Sequence, residues 1–460
     1  MTGRSGAVSF WLSTAGDLTP RPPLDGSTDA DVAILGAGYT GLWTAWYLLR
    51  REPGLRVAIC EQEVAGFGAS GRNGAWCVAN LGVSPGELAR RYGRDAARRT
   101  TFALRAAVDE IGGVCAAEGL DAGYRKDGLL RIARGAHELP ALRAGWDERD
   151  GLGLAEGCAL LDAGELAGRV RVADARGAMF DPHCATVHPG RLVRGLAGLV
   201  ERAGATIYEG TRVTGIDAGP RPALRTCRGT VRAGTVVLAG EAYLARQSRL
   251  HRHVLPLYSL VVLTEPLPDA RWSAIGWARG ECLSSHRYTV DYLSRTADGR
   301  ILFGGRGAPY HYGSRVRPEH DRHAGTHAHL RDALFDWFPP LRGIGFTHAW
   351  GGPLAMPRDW LPTVAHNPRT GLAAAFGYTG QGVATANLAG RILAARITGG
   401  TSEFDDLPFV GHRPRRWEPE PVRWVAVRLM QRAAARLDAR ARRTGRAPTG
   451  RSLPERLLRH

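Results

Sequence analysis

Runs of apolar residues with two different periods alternate along the chain. Asp31-Val32-Ala33-Ile34-Leu35 is an unbroken, β-tolerant run and predicts a buried strand. A glycine-rich turn follows. Leu42 to Arg50 then has helical spacing, and Leu55 to Glu61 is a second strand-like run. Together they make a strand–helix–strand unit of about 30 residues. Phe102, Leu104, Val108, Ile111 and Val114 predict a helix over 94–118, and the alternation from Gly123 to Ala133 predicts a strand. Residues 189–204 read as a helix, followed by strands at Ala205 to Glu209 and at Val236 to Gly240. Between 256 and 306 the runs Leu257–Thr264, Tyr288–Ser294 and Ile301–Gly304 read as antiparallel strands, with Asp298-Gly299 as a hairpin turn. Residues 383–397 predict a last core helix, and no internal repeat is present.

Such alternation predicts an α/β fold in which a parallel layer is assembled from separate segments and an antiparallel sheet is inserted between them. The expected division is 31–93, 165–255 and 345–405 for the parallel layer, and 94–164 with 256–344 for the inserted domain. Residues 1–30, with Phe10, Trp11 and the proline-rich stretch Pro20 to Pro23, read as an extended arm on the surface. In the tail, 406–460, Val422, Val425, Ala426, Leu429, Met430, Ala433 and Leu437 fall at helical spacing beside a stripe of Arg428, Arg432, Arg436 and Arg440. This amphipathic helix has three readings: docking on the body, lying on an anionic membrane surface, or contacting another subunit or a nucleic acid.

Charge sharpens that picture. The net charge is +17, but the segment from Arg413 to His460 holds 14 arginines against 4 acidic residues. Most of the excess therefore belongs to the tail, and no nucleic-acid partner is expected at the body. Lys126 is the only lysine. The seven cysteines are scattered and form no C-x-x-C pair, which argues against a disulfide framework and a zinc site. Asp181, His183 and His188 do not change this, because Pro182 and Pro189 favour loop geometry over a metal cluster. No apolar run approaches the ~20 residues of a membrane helix, and no secretory pattern opens the chain. The expected location is cytoplasmic.

Three stretches carry candidate chemistry. Gly36-Ala37-Gly38-Tyr39-Thr40-Gly41 matches G-x-G-x-x-G between a strand and a helix. Its glycines allow a tight turn, a close approach of backbone to a pyrophosphate, and tight packing of helix on strand. The helix N-terminus adds N–H groups and a positive dipole end. Glu61, followed by Gln62, ends the second strand, where a carboxylate accepts hydrogen bonds from ribose hydroxyls. The second stretch is Gly66-Phe67-Gly68-Ala69-Ser70-Gly71-Arg72-Asn73-Gly74, and the third is Gly377-Tyr378-Thr379-Gly380-Gln381-Gly382, leading into an alanine-rich helix. A nicotinamide enzyme has no need of these two, whereas an extended flavin dinucleotide, anionic when reduced, uses both. The parallel layer therefore reads as a Rossmann-type FAD-binding domain and the inserted sheet as a substrate domain. Taken singly, each of these two stretches also reads as a surface glycine loop.

These stretches, with Trp350-Gly351-Gly352-Pro353 and the helix beginning Val383, resemble the FAD-dependent D-amino-acid oxidase superfamily and, within it, the branch of γ-glutamylputrescine oxidases. The resemblance covers roughly residues 8–405. It implies that Glu61 binds the adenosine ribose and that Ser70, Gly71, Arg72, Asn73 and Gly74 lie along the pyrophosphate and flavin. It also implies that Val213 meets adenine, that Ala239 and Gly240 end a strand at the cofactor, and that Gly352 and Gly380, Gln381, Gly382 and Val383 flank the ring. Ala75 stands where many relatives have glycine, which would put a methyl near the flavin. No cysteine occurs between Pro353 and Pro362, the segment through which some relatives attach FAD covalently, so the cofactor is expected to be noncovalent. Lys126 lies in the wrong segment to serve as the lysine some relatives keep beside the flavin, which leaves the electron acceptor open between oxygen and another oxidant.

The expected reaction is hydride transfer from the carbon bearing an amine to flavin N5, giving an imine that hydrolyses to an aldehyde or keto acid. Candidates for the substrate face are His286, Arg287, Tyr288 and Tyr292, with His348, Trp350 and Tyr378. Arg287 is the candidate for holding a substrate carboxylate. Two further readings stay open: an FAD enzyme of other chemistry, acting on hydroxy acids or RNA, and a non-catalytic flavin-binding subunit.

Overall fold

The structure, a computed structural model, describes residues 8–450 together with Ser452 and Glu455. The remaining residues of the arm and tail lie outside the described residues. A six-stranded sheet takes strands Thr363–Asn367, Leu372–Phe376, Thr235–Leu238, Val32–Leu35, Val57–Cys60 and Thr206–Tyr208 in that spatial order. Its last five strands are parallel, and Thr363–Asn367 pairs antiparallel at the edge. Side chains alternate across it, as strand geometry requires. Val32 and Ile34 pack under helices Tyr39–Arg51, Arg94–Ala117, Pro189–Arg202 and Gly382–Ile397. Ala33 faces the other way, with Leu224 and Val231 of a four-stranded sheet.

An eight-stranded sheet forms the second layer. Its order is Phe346–Met356, Leu255–Thr264, Ile301–Arg306, Asp291–Arg295, Cys282–Ser284, Leu129–Arg134, Ala175–Asp181 and Ala159–Leu161. One face, with Leu130, Leu260, Leu293 and Phe303, is sealed by the helix Ala324–Trp337. The other face looks toward the six-stranded sheet.

Several expectations are corrected by this arrangement. Helix Arg94–Ala117 buries Leu104, Val108 and Ile111 in the core of the parallel layer, not in the inserted domain. Strands Ala175–Asp181 and Phe346–Met356 belong to the eight-stranded sheet, although both fall in segments assigned from sequence to the parallel layer. The strand expected at Gly123 to Ala133 begins only at Leu129, because Gly123 and Gly128 both adopt positive φ (58° and 89°). Within the arm, Phe10–Ser13 is not a surface stretch but a short helix with Phe10, Trp11 and Leu12 buried. The tail helix, Val422–Thr444, docks on the body with Arg423, Val427, Ala434 and Ala441 buried. The stripe read as its apolar face turns outward, with Val422, Val425 and Leu429 exposed by 55%, 45% and 57%. Polar groups explain the inversion, since Arg423 pairs with Glu420, and Gln431 and Asp438 bond to body backbone. Among the described residues no helix is long and apolar enough to cross a membrane.

Candidate active site

A cavity of about 1020 Å³ opens between the two large sheets and brings all three glycine stretches together. That volume is at the top of the range for small-molecule sites, ~300–1,000 Å³, as an extended dinucleotide plus a substrate requires.

The first stretch turns sharply after strand Val32–Leu35. Gly36 has φ +100°, and a Cβ there would lie 2.9 Å from the Ala239 carbonyl oxygen at the end of the adjacent strand. Glu61 lines the cavity and accepts N–H bonds from Ala37 and Glu63, both at 3.0 Å. Burial pushes its carboxyl up to about 7, partly offset by those two bonds. Gln62, Val213, Ala239 and Gly240 line the same end.

The second stretch is held from behind by the N-terminal segment. The Ser9 hydroxyl donates to the Gly71 carbonyl at 2.6 Å, Trp350 Nε1 to Arg72 O at 2.9 Å and Trp11 Nε1 to Asn73 O at 2.8 Å. Three successive carbonyls are thereby drawn away from the cavity, which leaves Ser70, Arg72, Asn73 and Gly74 along its wall. Arg72 donates to Phe67 O and Gly351 O and pairs with Asp321, while its Nη2 is buried without a partner. Such a donor fits an anionic cofactor. Ala75 does not approach the cavity. It has φ +67°, which accounts for glycine in relatives, and its methyl packs with Phe10, Trp11 and Trp350.

The third stretch is fixed by Glu241, a residue the sequence did not single out. Its carboxylate accepts from Gly377 N at 2.8 Å and Tyr378 N at 3.3 Å. Tyr378 reaches across to Thr40, hydroxyl to hydroxyl at 2.9 Å, joining the third stretch to the first. Gly380, Gln381, Gly382 and Val383 line the cavity at the start of helix Gly382–Ile397. Burial pushes Glu241 up to about 7. In the unfolded chain it would titrate near ~4.3. The folded form therefore holds more protons between those values, and stability from this group falls as pH rises through that window. Glu241→Gln removes the titration. Thermal unfolding of the apoprotein should then fall less steeply than in the parent between about pH 5 and pH 7.5, and parallel curves would refute this assignment.

Strand register sets the substrate end. Ser259 pairs with Gly352 on one side and Arg306 on the other, and Gly304, Tyr292, Ser284 and Arg131 continue the same face. Ser259, Arg306, Tyr292, Ser284 and Arg131 all line the cavity. The Tyr292 hydroxyl lies 2.9 Å from Ser259 Oγ. Arg306 donates to Thr379 O at 3.2 Å and stacks 5.3 Å from the Trp360 ring centre. Burial lowers the pKa of both arginines, that of Arg131 to about 10 with help from Arg149. Among the described residues neither guanidinium forms an ion pair with a carboxylate.

Of the sequence candidates, His286, Arg287, Tyr292 and Tyr378 line the cavity. His348, Trp350 and Tyr288 do not. His348 packs edge-on against Phe10, and Trp350 is spent on the Arg72 carbonyl. Tyr288 lies in a turn, not in a strand, because the strand starts at Asp291. Gly36, Gly38, Tyr39 and Thr40 line the cavity, whereas Ala37, Gly41 and Gly71 stand behind it. Arg306 and Arg131 were missed. Their signal was the alternation that puts them on the same sheet face as Tyr292.

A Rossmann-type crevice facing a sheet that is antiparallel except where Cys282–Ser284 pairs parallel with Leu129–Arg134 defines a dinucleotide-dependent oxidoreductase. The chain belongs to the FAD dependent oxidoreductase (DAO) family, whose pattern matches residues 31–396. It is 31% identical over 417 residues to γ-glutamylputrescine oxidoreductase of Escherichia coli (strain K12), covering 88% of this chain and 92% of that one. Among solved structures it superposes on glycine oxidase from Geobacillus kaustophilus with a TM-score of 0.70 at 25% identity, over 84% of this chain and 99% of that one. L-proline dehydrogenase from P. horikoshii shares the fold, with a TM-score of 0.66 at 19% identity over 84% and 96% of the two chains. The protein is an FAD-dependent oxidoreductase.

Proposed function

We propose that the protein oxidises the C–N bond of an elongated amine that also carries a carboxylate, a γ-glutamyl amine being the type. The observation that carries this reading is the pair of half-buried arginines, Arg306 and Arg131, on the cavity face of the sheet, neither of them ion-paired to a carboxylate among the described residues. Arg306 and Arg131 stand on strands three apart in the sheet order. That is roughly 14 Å at the usual strand spacing, a span that suits a substrate with its anionic group remote from its reacting amine. The three glycine stretches would hold FAD noncovalently, and when bound it would supply the acceptor for the hydride on the carbon bearing the amine, leaving an imine that hydrolyses to an aldehyde or keto acid.

The chain's own part is to bind, orient and exclude water. Tyr292 and Ser259 present a hydroxyl pair beside Gly74 and Gly352. Asp291 lines the cavity, but its carboxylate is taken up by Ser285 and Trp337. Glu61 and Glu241 are taken up by backbone amides. No strong base is required if the amine binds neutral.

Anaerobic mixing of the yellow holoprotein with polyamines, γ-glutamyl amines and D-amino acids tests the proposal. Bleaching by a carboxylate-bearing amine, with release of an aldehyde or keto acid, is the expected result. Bleaching only by hydroxy acids or NADPH, or by nothing, would refute it. Admitting air to the bleached enzyme reads whether oxygen is the acceptor.

A further inference from the structure

We infer that Asp438, on the C-terminal helix, positions one wall of the substrate end of the cavity, an inference that rests on the substrate reading above. The helix Val422–Thr444 lies beyond residue 396, where the family match ends. It is nevertheless tied to the cavity rim. Asp438 Oδ1 accepts the Tyr288 N–H at 3.0 Å, and Oδ2 accepts the Thr289 N–H at 2.9 Å and the Thr289 hydroxyl at 2.7 Å. These bonds grip the turn from His286 to Val290, and His286, Arg287 and Val290 line the cavity.

The turn is one that needs holding. Val290 has φ +56°, a region β-branched residues avoid. Such a conformation persists only where its surroundings over-determine it. From the inner side the Arg306 N–H donates to the Thr289 and Val290 carbonyls, at 3.2 and 3.4 Å. From the outer side the Asp438 carboxylate takes two consecutive amides, in charge-assisted bonds stronger than neutral ones. The same helix repeats the device nearby. Gln431 donates to Ala308 O at 2.9 Å and accepts from Tyr310 N at 3.3 Å, and Glu420, just before the helix, accepts from Tyr310 OH at 2.8 Å and Gly313 N at 3.0 Å. Loosening Asp438 frees Arg287 and Val290 to shift while the three glycine stretches keep their own supports.

Full-length holoenzyme carrying Asp438→Ala or Asp438→Asn tests this. Three quantities are read: amide hydrogen exchange at Tyr288 and Thr289, the Kd of glutarate from the flavin absorption band, and KM against kcat for the best amine. In D438A we expect faster exchange at both amides, a rise of about tenfold in glutarate Kd and in KM, and kcat within about threefold, with flavin content unchanged. D438N should fall between, because one acceptor oxygen remains. Unchanged exchange in D438A, or a joint fall of flavin content and kcat, overturns the inference. If no amine bleaches the parent enzyme, the substrate reading fails, and amide exchange alone then decides the role of Asp438.

Discussion

Gly41→Ala is expected to give a protein that no longer retains FAD. A Cβ at this position would lie 2.0 Å from the Gly36 carbonyl oxygen and 3.1 Å from Ile34 Cγ2. Neither atom can withdraw. The first belongs to the turn itself, and Ile34 is fully buried in the central strand. The helix must therefore lift off the strand, and the turn that faces the pyrophosphate opens. A clash this close falls at the upper end of overpacking costs, about 3 kcal/mol, and here the loss falls on the cradle, so FAD affinity should drop about 100-fold. Fluorescence titration of the apoprotein with FAD measures it. Gly113→Ala, on a helix where a Cβ would meet nothing within 4 Å, is the control and should bind FAD as the parent does.

The second large effect is expected at Arg306. Arg306→Met keeps the unbranched apolar stem of the side chain and removes the guanidinium with its charge. If the guanidinium holds a substrate carboxylate in a desolvated cavity, its loss costs about 2–5 kcal/mol, or a fall in kcat/KM of roughly 30- to 5,000-fold. The effect should nearly vanish for a substrate analogue whose carboxylate is replaced by a carboxamide, and that comparison isolates the pairing. An equal loss for both substrates would make Arg306 a structural residue. Because Arg306 also donates to Thr379 O on the third glycine stretch, flavin content is measured in parallel and kcat/KM is expressed per bound flavin.

Much of this was readable in the chain. Continuous apolar runs marked the strands at Val32–Leu35, Val57–Cys60 and Thr235–Leu238 because strands covered on both faces have no polar side to show. The fingerprint, Glu61 and the two further glycine stretches fall together in one cavity, as their spacing implied. What stayed hidden depends on tertiary context. Leu372–Phe376 is alanine-rich and favours a helix by propensity, yet it is a strand, because it is zipped between Thr235–Leu238 and Thr363–Asn367. Trp350 read as part of the substrate face, but its indole N–H is spent on the Arg72 carbonyl. The outward turn of Val422, Val425 and Leu429 could not be foreseen, since it is dictated by the partners of Gln431 and Asp438 on distant segments. Glu241 and Arg306 carry no motif at all. They became visible only when strand ends and register brought them to the cavity.

The claim beneath all of this is that the cavity between the two sheets holds a single FAD. Equilibrium titration of the apoprotein with FAD, followed by flavin fluorescence and absorbance, addresses it most directly. The account predicts saturation at one FAD per chain, a flavin that denaturation releases intact, and loss of binding in Gly41→Ala. A protein that stays colourless with excess FAD, or one that binds FAD equally well with Gly41 replaced, would contradict it.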